Sequence, residues 1–133
     1  MPQTRTRRRW WGSDGGSATV EAAGYTLAML LVLSLIVQAG VWALADLSAR
    51  QAAAHGLQTA RLSGATAPAG QADTLAMLHA LNPRGLADVT VTVQRGPETT
   101  TVTVTGTALK VLPLVDLPVR VQAVGPTEPD PQP

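Results

Sequence analysis

The longest apolar run in the chain extends from Ala22 to Ala45 and contains 24 residues without a formal charge. A bilayer core requires about 20 apolar residues, each adding roughly 1.5 Å to a helix. Secretory signal peptides have shorter apolar cores, of about 7–15 residues. The run therefore predicts a membrane-spanning helix over about residues 22–45. A buried core helix of a soluble domain is disfavoured, because little else in the chain is available to cover it.

An arginine cluster precedes this run. Arg5, Arg7, Arg8 and Arg9 are four of the ten basic residues in the chain. Basic flanks of membrane helices stay on the cytoplasmic side, so these residues predict a cytoplasmic N-terminus and an extracytoplasmic C-terminus in the inner or plasma membrane. Residues 1–16 are interpreted as a disordered, basic, glycine-rich cytoplasmic leader. A nucleic-acid-binding arm is the alternative, but topology accounts for the arginines and the net charge of +1 creates no wider attractive field.

The helical pattern continues beyond the apolar run. Asp46 and Arg50 have the i, i+4 spacing that supports a helix, and the alanines around them keep helix propensity high. Ser63-Gly64 and then residues 68–70, Pro-Ala-Gly, are predicted to end it. Residues 17–63 are therefore predicted to form the membrane helix and a helical stalk.

The remaining residues predict a small extracytoplasmic domain over residues 64–124. Residues 71–81 favour a short helix that ends at Asn82-Pro83. Valines alternate with polar residues over residues 89–94 and again over 101–105, the pattern of a β-hairpin. A third strand is predicted around Val119–Ala123, after a proline-containing loop.

The predicted fold is therefore α+β, with a long N-terminal transmembrane helix and stalk, a short helix and a small antiparallel β-sheet. The valine face of the sheet needs a cover, and the outer half of the long helix is the natural one. Residues 125–133 contain four prolines and are interpreted as a disordered tail.

The sequence contains no convincing catalytic or metal-binding constellation. Cysteine is absent, and His55 and His79 have no acidic pair at metal-ligand spacing. The serines lack the context of a nucleophile elbow. We therefore expect no enzyme activity, cofactor, metal or small-molecule ligand.

One carboxylate, Glu21, stands at the threshold of the apolar run. An ordinary explanation is that a carboxylate in the first turn of a helix interacts favourably with the macrodipole, by about 0.3–1 kcal/mol. That explanation does not account for the glycine five residues upstream, Gly16.

Gly16, Ser17 and Glu21 resemble the processing motif of type IV prepilins. In that motif a short basic leader ends in glycine, the cut falls before a small residue, and glutamate is the fifth residue of the mature chain. The whole pattern is similar to the TadE/TadG-like pseudopilins of tight-adherence pilus systems. These usually carry an aromatic residue directly after the glutamate, whereas Ala22 stands here and the nearest aromatic residue is Tyr25.

The resemblance implies a minor pilin that a prepilin peptidase cuts between Gly16 and Ser17. Glu21 would then pair with the Ser17 ammonium of a neighbouring subunit and set the axial register. The implied partners are the peptidase, other pilins or pseudopilins, the pilus platform proteins and the lipid bilayer.

Two other interpretations stay open at this point. The chain could be an uncleaved single-pass anchor that displays a small binding module. It could also be a secreted protein, because Ala43-Leu44-Ala45 before Asp46 has the small-x-small pattern of a signal-peptidase site.

Overall fold

The computed structural model describes residues 15–129. The chain forms two helices and then three strands: α1 (Gly15–Arg61), α2 (Ala67–Leu81), β1 (Leu86–Arg95), β2 (Thr99–Ala108) and β3 (Pro118–Pro126). The strands form one antiparallel sheet in the order β1-β2-β3. The predicted α+β class is confirmed, with a long apolar helix, a short helix and a small sheet.

The chain divides between Leu33 and Ser34 into two compact units. The first contains the beginning of α1, and its described residues are all exposed. The second contains the rest of α1, α2 and the sheet. The hydrophobic core lies in this second unit.

The core is made almost entirely of small and β-branched side chains. α1 contributes an alanine stripe and the sheet contributes a valine face, as predicted for the outer half of this helix. The fully or nearly buried members are Ala45, Ala49, Ala52, Ala53 and Leu57 from α1, and Val91, Val102, Val104, Val119 and Val121 from the sheet. Since alanine is short, the sheet can approach the helix closely along this stripe.

The predicted hairpin is present, and its register pairs Val91 with Val104 and Val93 with Val102. Alternating burial along β2 places Val102 and Val104 in the core and leaves Thr101, Thr103 and Thr105 partly exposed. The pairing shifts between Ala87 and Thr90, where Asp88 has a positive φ of 52°. This irregularity is a β-bulge, which the alternation of apolar residues did not predict.

The start of α2 differs from the prediction. The helix begins at Ala67, so residues 68–70 open α2 and do not terminate α1. Thr66 caps it by accepting a hydrogen bond from the Ala69 N–H at 3.3 Å, and Pro68 lies in the first turn. Proline is well tolerated there, because the N–H that it lacks has no partner within the helix. The stop at Asn82-Pro83 is where the sequence placed it.

The α1 C-terminus is held by the β1–β2 hairpin. The guanidinium of Arg95 donates to the carbonyls of Ala60, Leu62 and Ala65 at 3.1, 2.6 and 2.9 Å. These carbonyls lie at or just beyond the end of the helix, where acceptors lack intrahelical partners and the macrodipole favours a cation. Arg95 therefore connects the hairpin to the end of α1, a role that its neighbours in the sequence did not predict.

The prediction of a disordered tail from residue 125 is wrong for its first residues. β3 continues to Pro126, the Thr127 N–H donates to the Glu98 carbonyl at 2.9 Å, and the Glu128 N–H donates to the Arg61 carbonyl at 2.9 Å. Backbone hydrogen bonds hold these residues despite the prolines around them. Residues 130–133 lie outside the described part of the chain.

The two helices cross at a pair of glycines. A Cβ atom on Gly56 would lie 1.7 Å from Thr74 Oγ1 and 2.8 Å from the Gly70 carbonyl oxygen, and one on Gly70 would lie 2.6 Å from Ala60 Cβ. Thr74 is fully buried and donates to the Gly70 carbonyl at 2.7 Å. The contact between the two helices therefore has small residues at its centre, where the backbones approach closely and side chains do not interdigitate.

Candidate membrane-spanning and processing segment

α1 is long and apolar enough to span a membrane, and it lies near the N-terminus. From Val20 to Val37 its large apolar side chains are between 45% and 74% exposed. Among the described residues of α1, Gln38 is the first that is buried. The structure therefore leaves the segment before Gln38 without a protein cover.

Gly16 and Ser17 lie in the first turn of α1, since the helix begins at Gly15. Gly16 is exposed, and nothing lies within 4 Å of the position that a Cβ atom would take there. The prediction of an unstructured leader through residue 16 is therefore corrected for Gly15 and Gly16. The arginines at positions 5, 7, 8 and 9 lie outside the described residues.

Glu21 lies beyond the first turn of α1, which contains no acidic residue. Because the macrodipole acts mainly within the first turn, the ordinary explanation for this carboxylate loses most of its force. The Tyr25 hydroxyl donates to Glu21 Oε1 at 3.0 Å. The nearest aromatic residue thus lies one helical turn after the glutamate and contacts it directly.

Gln38 joins α1 to the segment between β2 and β3. Its side chain is only 3% exposed. Its Nε2 donates to the Leu109 carbonyl at 3.2 Å, and its Oε1 accepts from the N–H groups of Val111 and Leu112 at 2.7 and 3.1 Å. The Gln38 side chain thus forms hydrogen bonds with three backbone groups of a segment that is neither helix nor strand.

Trp42 and Ala45 extend this contact toward the core. Trp42 Nε1 donates to the Pro118 carbonyl at 3.3 Å, and Ala45 is fully buried. One face of residues 38–45, at the C-terminal end of the predicted span over about residues 22–45, packs on the domain. The stretch of α1 before this contact, from Ser17 to Val37, has roughly 21 residues and about 31 Å of helix, which is the thickness of a hydrocarbon core.

The same contacts bear on release by a signal peptidase. A cut between Ala45 and Asp46 would separate Gln38, Trp42 and Ala45 from the domain that they contact. It would also interrupt a continuous helix in which Asp46 and Arg50 pair at 2.7 Å.

The hydrogen bond from Arg50 to Asp46, together with the opposite charge of that carboxylate, raises the pKa of the Arg50 guanidinium.

His55 belongs to a small polar cluster between the two helices. His55 Nε2 lies 3.2 Å from Asp73 Oδ2, and the same carboxylate oxygen accepts from the Thr59 hydroxyl at 2.6 Å. This cluster connects α1 to α2 beside the Gly56 crossing, although the His55 side chain itself is exposed. Among residues 15–129, no group of three or more His, Asp or Glu residues could hold a metal ion.

Sequence reasoning missed Gln38, Gly56 and Arg95. No local pattern in the sequence assigned a structural role to any of these three residues. One signal was available: Gly56 with Ala60, and Gly70 with Thr74, repeat a small residue every four positions, the spacing of close helix pairs.

No protein-family model, curated protein or solved structure matches the chain.

Proposed function

We propose that the chain is a single-pass membrane protein of the TadE-like minor pilin type. Its N-terminus lies in the cytoplasm and its domain lies outside the membrane. A prepilin peptidase removes the basic leader by cutting between Gly16 and Ser17. The mature protein then joins other pilins and the platform proteins of a Tad-type pilus or secretion apparatus.

The observation that carries this proposal is the uncovered apolar surface of α1. Large apolar side chains before Gln38 are exposed around the helix and not along one stripe only. A helix that is apolar on all sides belongs in a membrane or among other helices. The motif formed by Gly16, Ser17 and Glu21 at its start favours the pilin-type assignment over a simple anchor.

The chemistry of processing gives Glu21 a role in assembly. Cleavage after Gly16 creates an ammonium group at Ser17, one helical turn before the carboxylate. In a bundle of like helices, Glu21 of one subunit pairs with the Ser17 ammonium of the next, which offsets the cost of holding either charge in an apolar environment. Small, exposed positions at Ala39, Gly40 and Ala43 permit close approach of a neighbouring helix.

The mature N-terminus tests the proposal directly. We expect protein purified from membranes of the producing cell to begin at Ser17, as measured by intact mass and N-terminal sequencing. Protein from cells that lack the prepilin peptidase should retain the leader, including the arginines at positions 5, 7, 8 and 9. A start at Asp46 would instead identify a secreted protein, and an intact leader in peptidase-containing cells would identify an uncleaved anchor.

The assembly role of Glu21 gives a second expected result. Glu21→Ala should lower incorporation into the assembled complex by roughly a hundredfold or more, because removing one partner of a buried ion pair costs about 3–5 kcal/mol. Co-purification with the other pilins, normalised to membrane content, measures this. Glu98→Ala, which removes an exposed carboxylate from the β1–β2 turn, is the matched control. Equal incorporation of the two variants would refute the register role.

A further inference from the structure

The segment between β2 and β3, residues 109–117, exposes an unusual amount of apolar surface. Leu114 at its tip is 96% exposed, and Leu109 and Val111 are also exposed. Most of its residues are apolar. Its two charged residues, Lys110 and Asp116, form an ion pair with each other. We call this segment the 109–117 loop.

The 109–117 loop is held in place at several points. The Ala108 N–H donates to the Leu117 carbonyl at 3.0 Å, and the Leu109 N–H donates to the Gly85 carbonyl at 3.1 Å. Gln38 adds its three hydrogen bonds to Leu109, Val111 and Leu112. The exposure of Leu114 is therefore a property of an anchored loop and not of a fraying one.

The loop contacts α1 closer to the helix N-terminus than the sheet does. Pro118, where β3 starts, contacts Trp42, whereas the loop itself contacts Gln38, one turn earlier. Directly before Gln38 lie Leu35, Ile36 and Val37, which are exposed and apolar. The loop thus lies at the level where the uncovered apolar surface of the helix ends.

The surroundings of the loop have the mixed character of a membrane interface. Trp42 is partly exposed and keeps its indole N–H hydrogen-bonded. Exposed Arg84 lies beside a cavity that is also lined by Val41, Leu44 and Leu109. Tryptophan and arginine, with an apolar body and a polar end, are the side chains that concentrate at the headgroup level of a bilayer.

We propose that the 109–117 loop inserts its exposed apolar side chains, Leu114 at the tip with Val111 and Leu109 nearer the base, into the outer leaflet of the bilayer that α1 spans. This inference rests on the proposed membrane span. The occupant is lipid because the loop adjoins Leu35, Ile36 and Val37, the end of the exposed apolar surface of α1, and carries exposed apolar side chains of its own. The domain would then have two membrane contacts, a helix and a loop, joined by Gln38.

Depth-dependent fluorescence quenching tests the insertion. The chain has no cysteine, so Leu114→Cys, Glu98→Cys and Leu31→Cys each place one environment-sensitive label on the full chain, reconstituted in phosphatidylcholine–phosphatidylglycerol vesicles. Leu114 is almost fully exposed, so its replacement leaves the folded domain intact. Leu31 reports on the span, and Glu98 reports on the opposite end of the sheet.

We expect nitroxide lipids labelled near the headgroup to quench the Leu114 label several-fold more strongly than the Glu98 label, with a blue-shifted emission. If the Leu114 label behaves like the Glu98 label while Leu31 is quenched, the loop insertion is wrong and the span stands. A Leu114 label shielded from both lipid and aqueous quenchers would indicate a protein neighbour, which also overturns insertion. A Leu31 label that nitroxides on the acyl chains also fail to quench would overturn the span itself.

Discussion

Gly56→Val is expected to unfold the domain or to separate α2 from α1. The Cβ atom alone would lie 1.7 Å from Thr74 Oγ1 and 2.8 Å from the Gly70 carbonyl oxygen. The first contact could be relieved by moving a side chain, but the second involves the backbone of α2. Since Thr74 is fully buried and bonded to Gly70, it has little room to move.

Overpacking of this kind typically costs about 1–3 kcal/mol and can cost more, so we expect Gly56→Ala at the upper part of that range and Gly56→Val beyond it. Hydrogen exchange of the β2 amides in detergent-solubilised full chain measures the loss. Gly40→Ala is the matched control, because nothing lies within 4 Å of its added Cβ and alanine favours the helix by about 1 kcal/mol.

A double substitution distinguishes the two contacts at this crossing. Adding Thr74→Ala to Gly56→Ala removes the hydroxyl that the new Cβ meets, while the Gly70 carbonyl remains close. We therefore expect partial recovery of stability. Full stability of Gly56→Val would show that the helices do not cross here as closely as described.

Gln38→Leu is expected to release the 109–117 loop from α1. The substitution keeps the side chain similar in size but removes the partner of the Leu109 carbonyl and of the Val111 and Leu112 N–H groups. Leaving buried polar groups unsatisfied costs about 1–3 kcal/mol each. Because water can reach part of this loop, we expect a total loss of about 2–3 kcal/mol.

Amide exchange of Val111 and Leu112 should accelerate in this variant, and protease cleavage within the loop should follow. Gln38→Glu keeps an acceptor for both N–H groups but replaces the donor to the Leu109 carbonyl with a buried carboxylate oxygen. We therefore expect amide exchange of Val111 to stay slower in Gln38→Glu than in Gln38→Leu, although the domain as a whole loses stability. Gln58→Leu, at an exposed position of the same helix, controls for the change of residue type. Unchanged exchange at Val111 in Gln38→Leu would contradict the role of Gln38.

Local sequence patterns predicted the strands and the end of α2 but not the contacts of Gly56 and Gln38. The alternation of Val89 to Val93 with polar residues predicted β1, because a strand with one buried face imposes a period of two on its own sequence. The end of α2 before Asn82-Pro83 was predicted from those two residues alone. Pro68 was misinterpreted because the same residue can end one helix or begin the next, and only the Thr66 cap distinguishes the two.

The sequence by itself determined a helix long and apolar enough for a bilayer, the α+β class, the valine hairpin and the motif around Gly16 and Glu21. Each of these features depends on residues that are close together in the sequence. Only the tertiary structure decided that the apolar run divides at Gln38, that Gly56 carries a helix crossing, and that Arg95 closes the end of α1. Their partners lie far along the chain, and one amide in an apolar run does not reveal the acceptors and donors that folding will bring to it.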